Sequence, residues 1–349
     1  MAKKQKLLKN LLTSVSVASI VASIGGSSGA FAAIDLGGGP AINLSGVHGF
    51  AADDGDSRDL VFDQAGVTLT VDTGVNNIRN ITATEAGNII ISQSIEITGR
   101  IVRGVAALDR TMATSIDDNK TLTLSAAGAD HTGLGAVTLN GANATLTIAN
   151  NAIVHNTIKG AGVGQGILNL GVGSTVNEEI GSVGNSLATV NIAGGEVNIS
   201  KNVFATNTNL IAGSVLKLAA GKTITGNITT NADGKGTLTF IEAGTVTGNI
   251  GADVLALAEI NITDPANAGP AVVQLKGDVY TKKLNFVTNN QVEIAGNFGG
   301  GAKVGGAAGA ASAVDFAGVA GTLTFNGAVG DLKTFNATIA NSANSILNV

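Results

Sequence analysis

The sequence predicts an all-β protein, a right-handed parallel β-helix (β-solenoid) that follows an N-terminal signal peptide. Three observations predict this fold: an internal repeat, alternation of apolar and polar residues, and a glycine, asparagine, aspartate or serine after most short apolar runs. Self-similarity at a fixed period is typical of architectures in which each unit buries its apolar face against its neighbours. A period of two is that of a β-strand, and no apolar stripe with helical spacing competes with it.

The repeat is clearest between residues 166–192 and 236–262, which align without a gap. Leu168 of the first copy corresponds to Leu238 of the second, and Asn191-Ile192 corresponds to Asn261-Ile262. A third copy opens at Gly321 with the residues GTLTFNGA. The unit is therefore roughly 70 to 85 residues long, which corresponds to about three coils of a solenoid.

The alternation within the second copy predicts which side chains form the core. The neighbours of the apolar residues, Thr239 and Asn261, are expected to face outward or to line turns. A string of β-sandwiches is the alternative architecture, but it requires clear linkers and the sequence offers only one such break. The side chains expected to point inward are Leu238, Phe240, Val246, Ile250, Ile260 and Ile262.

Residues 1–32 have the organisation of a secretory signal peptide. Four lysines in the first nine residues precede an apolar run from Leu11 to Ile24, and Ala30-Phe31-Ala32 fits the small-x-small pattern of a cleavage site. A membrane anchor is the alternative interpretation, but the run is shorter than the roughly 20 residues that span a bilayer. We therefore expect cleavage after Ala32 and no transmembrane segment in the mature chain.

Composition excludes several classes of function. The formal net charge is −5. Residues 1–32 contain four lysines and no acidic residue, so the mature chain is more acidic than the full sequence. A mildly acidic exported chain is poorly suited to nucleic acid, and no nucleic-acid partner is expected. The chain has no cysteine, which excludes disulfides and thiolate metal sites. Burial of apolar side chains must therefore stabilise the fold.

The mature chain divides into four predicted regions. Residues 33–135 form an N-terminal β-rich region, 136–298 the β-helix repeats, 299–315 a Gly/Ala-rich linker, and 316–349 a partial third repeat. The linker prediction rests on the segment GGGAKVGGAAGAASA, whose lack of bulky side chains favours flexibility. In the first region, the segment from Arg100 to Ser115 lacks clean alternation and is expected to be a short helix or a loop that leaves the coil.

Asparagine recurs at the ends of predicted strands, as at Asn150, Asn227 and Asn249. Its side chain can hydrogen bond to the backbone of its own turn. In a stacked solenoid such residues can also form ladders between coils. We interpret these asparagines as structural and not as catalytic.

The sequence contains no constellation typical of catalysis, cofactor binding or metal binding. His48, His131 and His155 are isolated, and none belongs to a metal-ligand spacing. Asp130 and His131 are the only adjacent acid and histidine, and neighbouring residues of a strand point to opposite faces, so a shared site is not expected. The sequence therefore predicts no enzyme, no cofactor, and no catalytic, cofactor-binding or metal-binding residue.

Two alternatives remain beside this prediction. Asp53, Asp54 and Asp56 could bind calcium, but their spacing is not that of a calcium loop, so a solvated loop is the expected role. A carbohydrate-active β-helix enzyme, a lyase or hydrolase, would need clustered acids with lysine or arginine in a groove. The acids of this chain are scattered in sequence. Tryptophan is absent and Tyr280 is the only tyrosine, so an aromatic platform for sugars is also lacking.

The signal segment, the GTLTF opening, the VTGNIG centre and the LAEINI close resemble the passenger repeats of rickettsial surface cell antigens, the outer membrane protein A and B type autotransporters. The resemblance is strongest over residues 166–295 and 321–325. It implies a β-helical passenger that a C-terminal β-barrel carries across the outer membrane. It also implies a place at the cell surface, a role in adhesion to host cells or as a surface coat, and a host-cell surface protein or a second copy as partner.

The C-terminal end departs from this family pattern. No succession of roughly ten-residue alternating strands follows Phe325, so the translocator barrel is expected to be missing from this chain. The chain is then a fragment, a truncated product or a passenger without its own translocator, located at the cell surface or, if truncated, in the periplasm. Residues 345–349 resemble an interior strand with no charge or proline, so the last coil is expected to fray or self-associate.

Overall fold

The computed structural model describes residues 42–44, 47–50, 59–62, 65–71, 77–104, 111–211, 213–265, 271–299, 312–316, 319–325, 337–340 and 345–348. All regular secondary structure in these ranges is β-strand. The predicted signal peptide, the acidic segment that begins at Asp53 and residues 300–311 of the predicted linker lie outside the described residues.

Short strands separated by turns follow one another along the whole described chain. In chain order they are β1 (Ile42–Leu44), β2 (Val47–Phe50), β3 (Asp59–Phe62), β4 (Val67–Val71), β5 (Asn77–Ile78), β6 (Asn80–Ala83), β7 (Gly87–Ile91), β8 (Ile95–Ile97), β9 (Ile101–Arg103), β10 (Met112–Asp117), β11 (Thr121–Leu124), β12 (Asp130–His131), β13 (Leu134–Asn140), β14 (Thr145–Ile148), β15 (Ile153–Val154), β16 (Ile158–Gly160), β17 (Ile167–Leu170), β18 (Thr175–Val176), β19 (Leu187–Ile192), β20 (Gly195–Ile199), β21 (Val203–Leu210), β22 (Ser214–Leu218), β23 (Lys222–Thr230), β24 (Lys235–Ile241), β25 (Gly244–Val246), β26 (Leu257–Thr263), β27 (Val272–Leu275), β28 (Val279–Phe286), β29 (Gln291–Ile294), β30 (Phe298–Gly299), β31 (Ser312–Asp315), β32 (Thr322–Phe325), β33 (Ala337–Ala340) and β34 (Ile346–Asn348).

The strands stack in parallel on three faces, each strand pairing with strands of the preceding and following coils. The ladder face consists of β8, β11, β14, β17, β19 and the C-terminal halves of β21 and β23. The charged face consists of β12, β15, β18, β20, β22, β24, β26, β28, β31 and β33. The third face consists of β7, β10, β13, β16, the N-terminal parts of β21 and β23, and then β25, β27, β29 and β32. The predicted parallel β-solenoid is confirmed, with about 11 turns.

One coil of the ladder face takes 22 residues where its spacing is regular. Leu146 pairs with Leu168, and Leu168 pairs with Val190. Parallel neighbours lie about 4.7–4.9 Å apart, so such residues form continuous columns along the solenoid axis. All three are at most 1% exposed. The core is therefore a stack of apolar layers and not a single cluster at the centre of a globule.

The six core residues predicted from the alternation are all fully buried, which confirms the register of the second copy. Leu238, for example, pairs with Leu216 on one side and with Ile260 on the other, within the charged face. Thr239 points away from this core but is only 8% exposed, because it is flanked by Lys217 and Asn261 of the neighbouring coils. Its outward position is therefore more enclosed than the alternation alone suggests.

The expectation of a helix or loop between Arg100 and Ser115 was wrong for the described part of that segment. Residues 101–103 form β9 and the segment from Met112 enters β10, whereas residues 105–110 lie outside the described residues. The alternation was hidden because Thr114 takes an inward position between Met112 and Ile116. Its hydroxyl donates a hydrogen bond to the carbonyl oxygen of Met112, 3.1 Å away, which makes the burial of a polar side chain tolerable.

The sequence repeat does not return the chain to the same face. Leu168 lies on the ladder face, where three further coils lead through Val190 and Thr208 to Ile228. Leu238, its equivalent in the repeat, lies one face further on, in β24 of the charged face. The prediction that one unit equals about three coils is therefore corrected to three coils plus one face.

Candidate functional site

The ladder face carries two parallel rows of neutral side chains on its outer surface. In each of six consecutive coils, two half-exposed residues flank one buried residue. Ile167 is the single apolar member, and no member of either row is charged. The first row is Thr121, Thr145, Ile167, Thr189, Asn207 and Asn227, and the second is Thr123, Thr147, Asn169, Asn191, Asn209 and Thr229.

Hydrogen bonds between coils connect the side chains of the second row. Asn169 donates from Nδ2 to Oγ1 of Thr147 at 3.0 Å, and Asn191 donates to Oδ1 of Asn169 at 2.8 Å. Asn209 then donates to Oδ1 of Asn191 at 3.2 Å. These side chains stack in register because the parallel pairing places identical strand positions above one another. An asparagine ladder between coils is therefore present, but asparagines within the strands form it and not the strand-end asparagines for which the sequence predicted it.

The asparagines predicted at strand ends bond to backbone groups of the next coil. Oδ1 of Asn150 accepts a hydrogen bond from the backbone N–H of Val172 at 2.9 Å. Oδ1 of Asn227 accepts from the N–H of Asn249, whose own Oδ1 accepts from the N–H of Asp278, both at 2.9 Å. These bonds satisfy backbone donors at the corners, where the strand ladders are interrupted. They join successive coils.

The charged face carries its ions as pairs between neighbouring coils. Nζ of Lys217 lies 2.7 Å from a carboxylate oxygen of Glu196, and this hydrogen bond lowers the pKa of Glu196. Nζ of Lys283 lies 3.0 Å from Asp315 and 3.6 Å from Glu259. The hydrogen bond to Asp315 is the main cause of a raised pKa of Lys283. Since these groups are partly exposed, each pair contributes little stability. The pairing places each of these charges beside an opposite charge of a neighbouring coil.

Asp130 and His155 form a polar cluster that the sequence interpretation missed. Nε2 of His155 lies 2.5 Å from Oδ1 of Asp130, and Nδ2 of Asn177 lies 3.0 Å from Nδ1 of His155. Asp130, His155 and Asn177 follow one another on successive coils, 25 and then 22 residues apart. The sequence carried no signal for this cluster, because the separation of stacked residues varies between 18 and 25 residues from coil to coil. An acid, an imidazole and an amide on an outer surface form hydrogen bonds with one another, but no nucleophile accompanies them in these contacts.

His131 points in the opposite direction from Asp130, as the strand period predicts. Its side chain is fully buried, and its Nδ1 accepts a hydrogen bond from the backbone N–H of Ile101 at 3.2 Å. Nε2 is buried and has no hydrogen-bond partner among the residues that the structure describes. Burial lowers the pKa of His131 to about 4, with the nearby charge of Asp130 acting in the opposite direction. His131 is therefore a neutral core residue at neutral pH.

A cavity of about 340 Å³ on the third face is lined by Gln274, Leu275, Lys276, Glu293 and Ala295. Its only acid, Glu293, accepts a hydrogen bond from Nε2 of Gln274 at 3.2 Å. Within the part of the chain that the structure describes, no three His, Cys, Asp or Glu residues are grouped so that they could hold a metal ion. In the same part, no helix has the length and apolarity needed to cross a membrane.

Sequence comparison finds relatives among bacterial outer membrane proteins. Outer membrane protein A of Rickettsia conorii is 36% identical over 202 residues, and outer membrane protein A of Rickettsia rickettsii is 32% identical over 251 residues. These matches cover 52% and 66% of this chain. Outer membrane protein B of Rickettsia rickettsii is 30% identical over 348 residues, or 91% of this chain. No protein-family model and no solved structure matches the chain.

The relatives are much longer than this chain. The matched region spans 10% and 11% of the two outer membrane proteins A and 20% of outer membrane protein B. The similarity therefore concerns one part of each relative, and that part corresponds here to a parallel solenoid.

Proposed function

We propose that this chain is a non-enzymatic module displayed at the cell surface. It is related to the rickettsial outer membrane proteins A and B and corresponds to part of an autotransporter passenger of that type. In this proposal the module acts in adhesion to host cells or as part of a surface coat. The observation that carries it is the identity of 30–36% to proteins named for the outer membrane, combined with a long solenoid whose faces are lined by repeating side chains.

Export by a cleaved signal peptide is part of this proposal. The sequence of residues 1–32 supports it, because a basic start, an apolar run and a small-x-small site occur in the order that secretion requires. Mass spectrometry of the exported protein is expected to find a mature N-terminus at or within a few residues of Ala33. Protein outside the cytoplasm that still begins with Met1 would contradict this part of the proposal.

The absence of enzymatic activity is supported by how the described charges are placed. A β-helix lyase or hydrolase needs acids that converge with a lysine or arginine on one substrate atom. Here Glu196 is paired with Lys217, and Glu259 and Asp315 share Lys283 across successive coils. We expect no release of reducing ends or unsaturated products when purified protein is incubated with host or bacterial polysaccharides. Release that is lost in the Lys283→Met variant would instead support the enzyme alternative.

Surface display is tested on intact cells that express the natural gene. An antibody raised against residues 136–298 should label unpermeabilised cells, and external protease should remove the label while a periplasmic marker protein stays intact. Beads coated with the purified mature chain should bind host cells more than beads coated with a solenoid of unrelated sequence. Labelling only after permeabilisation would reject surface display, and equal binding of both kinds of bead would reject adhesion and leave the coat role.

A further inference from the structure

We propose that the ladder face binds a neutral, hydroxyl-rich polysaccharide along the solenoid axis. The proposed contact surface is the pair of outward rows defined above, from β11 to β23, with Asn169, Asn191 and Asn209 at its centre. The inference rests on the proposed function, since a surface module needs a partner, and it names the chemical class of that partner.

The distribution of charge favours a neutral ligand. The twelve positions of the two rows carry hydroxyl, amide or, at Ile167, alkyl groups and no ionised group. The neighbouring charged face carries Glu196, Glu259 and Lys283 in one outward row and Lys217 in the other. An anionic or cationic partner would gain Coulomb energy on that second face, whereas the charge of the ladder face in register with the rows is Glu96 of β8, which pairs with Thr123 at one end of the second row. A neutral polymer of hydroxyl groups loses no Coulomb energy when it does not contact the ions of the charged face. Its hydroxyl groups can form hydrogen bonds with the uncharged side chains of the two rows.

The hydrogen-bond pattern of the ladder leaves matched donors and acceptors. An asparagine amide has two N–H donors and an oxygen with two lone pairs. Asn191 uses one N–H toward Asn169 and receives one hydrogen bond from Asn209, so one donor and one acceptor position remain on the same side chain. Asn169 is used in the same way between Thr147 and Asn191. A sugar hydroxyl both donates and accepts hydrogen bonds, so sugar hydroxyls can bond to the remaining N–H and to the remaining lone pair of such an amide.

The ladder also holds these groups in fixed positions before a ligand arrives. Each ladder amide is bonded to the next coil, so less side-chain freedom is lost on binding than for isolated surface asparagines. The five spacings of about 4.8 Å between six coils give rows about 24 Å long, and the two rows lie about 7 Å apart, two residues along a strand. A polymer presents hydroxyl groups at repeated intervals over such a length. Several weak contacts then act together, which replaces the aromatic stacking that this chain lacks.

Affinity electrophoresis with the purified mature chain tests the inference. Native gels are cast with one embedded polymer each: galactomannan, dextran or glycogen as neutral probes, and heparin or hyaluronan as anionic ones. We expect at least one neutral polymer to retard the protein in a concentration-dependent way, and neither anionic polymer to do so. No retardation by any of the three neutral polymers, or stronger retardation by the anionic ones, would overturn the proposal.

Matched variants locate the binding surface. Thr123→Val with Thr189→Val removes two hydroxyl groups from the ladder face at nearly constant shape, and should weaken retardation about tenfold, the factor expected for two ordinary hydrogen bonds. Thr175→Val with Thr237→Val makes the same change on the charged face and should have no effect. Asn191→Lys places a charge in the middle of the rows and should abolish retardation. Equal loss in both double variants, or none in either, would overturn the assignment to this face.

The same proteins distinguish one other occupant, a second copy of this chain, and separate the ligand class from the proposed location. If the ladder face paired with a second copy of this chain, sedimentation without polymer would show a dimer that the Asn191→Lys variant loses, and the proposal would be wrong. If the proposed display at the surface fails on intact cells but retardation persists, the ligand class stands and the location does not. If display is confirmed and retardation is absent, the ligand class is wrong and the surface role stands.

Discussion

Leu168 and Leu238 hold the same position in the sequence repeat, but they pack on different faces of the solenoid. Leu168 pairs with Leu146 and Val190 on the ladder face, and Leu238 pairs with Leu216 and Ile260 on the charged face. Both side chains are fully buried. The repeat therefore preserves inward and outward positions but not the surface to which the outward residues belong, so two copies of one sequence pattern can present different chemistry.

The buried register can be tested at Leu238. Leu238→Asp would place an unpaired charge in a fully buried column and should lower the free energy of unfolding by several kcal/mol. Thr239→Asp should cost less than Leu238→Asp, because the new carboxylate points away from the core and lies beside Lys217 of the preceding coil. Urea unfolding followed by circular dichroism measures both, and equal losses in the two variants would contradict the register.

His131 should make the solenoid sensitive to mild acid. Its pKa is about 4 in the folded chain and near 6.5 when unfolded, so the unfolded state binds the proton first as the pH falls. The contribution of neutral His131 to the free energy of unfolding is fully present above pH 6.5. It is lost as the pH falls from about 6.5 to 4, which lowers the free energy of unfolding by up to about 3 kcal/mol. Urea unfolding at pH 7.5 and 4.5 should show a larger drop for the natural chain than for His131→Asn. A drop of the same size in both would mean that His131 is not the group responsible.

The amide ladder should contribute measurable stability at Asn191. Asn191→Ala removes one donated and one accepted hydrogen bond and should cost about 1–2 kcal/mol. Asn198→Ala, at an exposed position with a single 3.4 Å contact to Glu196, is the matched control and should cost less than about 0.5 kcal/mol. Thermal unfolding of the two variants decides this, and a smaller effect at Asn191 than at Asn198 would show that the ladder is energetically neutral.

Gly226 should be intolerant of any side chain. It lies in β23 where that strand turns a corner, with φ of +114°, and a Cβ atom there would overlap the carbonyl oxygen of Ala205. Gly184 also has a positive φ, +84°, but has open space around it. Gly184→Ala should therefore cost only the backbone strain of about 1–2 kcal/mol, and Gly226→Ala should cost more. Comparable melting temperatures of the two variants would mean that the corner can rearrange.

The last described coil should exchange its amide hydrogens fastest. Ile346 and Leu347 of β34 are 54% and 38% exposed, whereas Ile260 of β26 is fully buried between strands on both sides. Few apolar contacts and an exposed ladder predict low local stability. Hydrogen exchange with mass spectrometry should show slow exchange for peptides within 136–295 and fast exchange after Gly321. Equally slow exchange in a monomer would show that this end is covered in a way the exposure does not reveal.

Local sequence determined which residues form strands and which side chains face the core. The strand period is a property of neighbouring residues, so Leu238, Phe240 and Val246 could be assigned to the interior without knowing any partner strand. The failure at Thr114 had the same local origin, since a polar residue in an inward position interrupts the apolar pattern while its hydroxyl bonds to its own strand.

Only the tertiary structure decided which residues share a surface. Coil length depends on the turns and is not constant, since Asn169 and Asn191 stack at a separation of 22 residues but Asn191 and Asn209 at 18. An alignment in sequence therefore cannot say which outward residues meet, which is why the pair of Asp130 and His155, 25 residues apart, was missed. The neutral rows of the ladder face exist for the same reason: the sequence supplied threonine and asparagine at outward positions, and the lengths of the intervening turns stacked them into one surface.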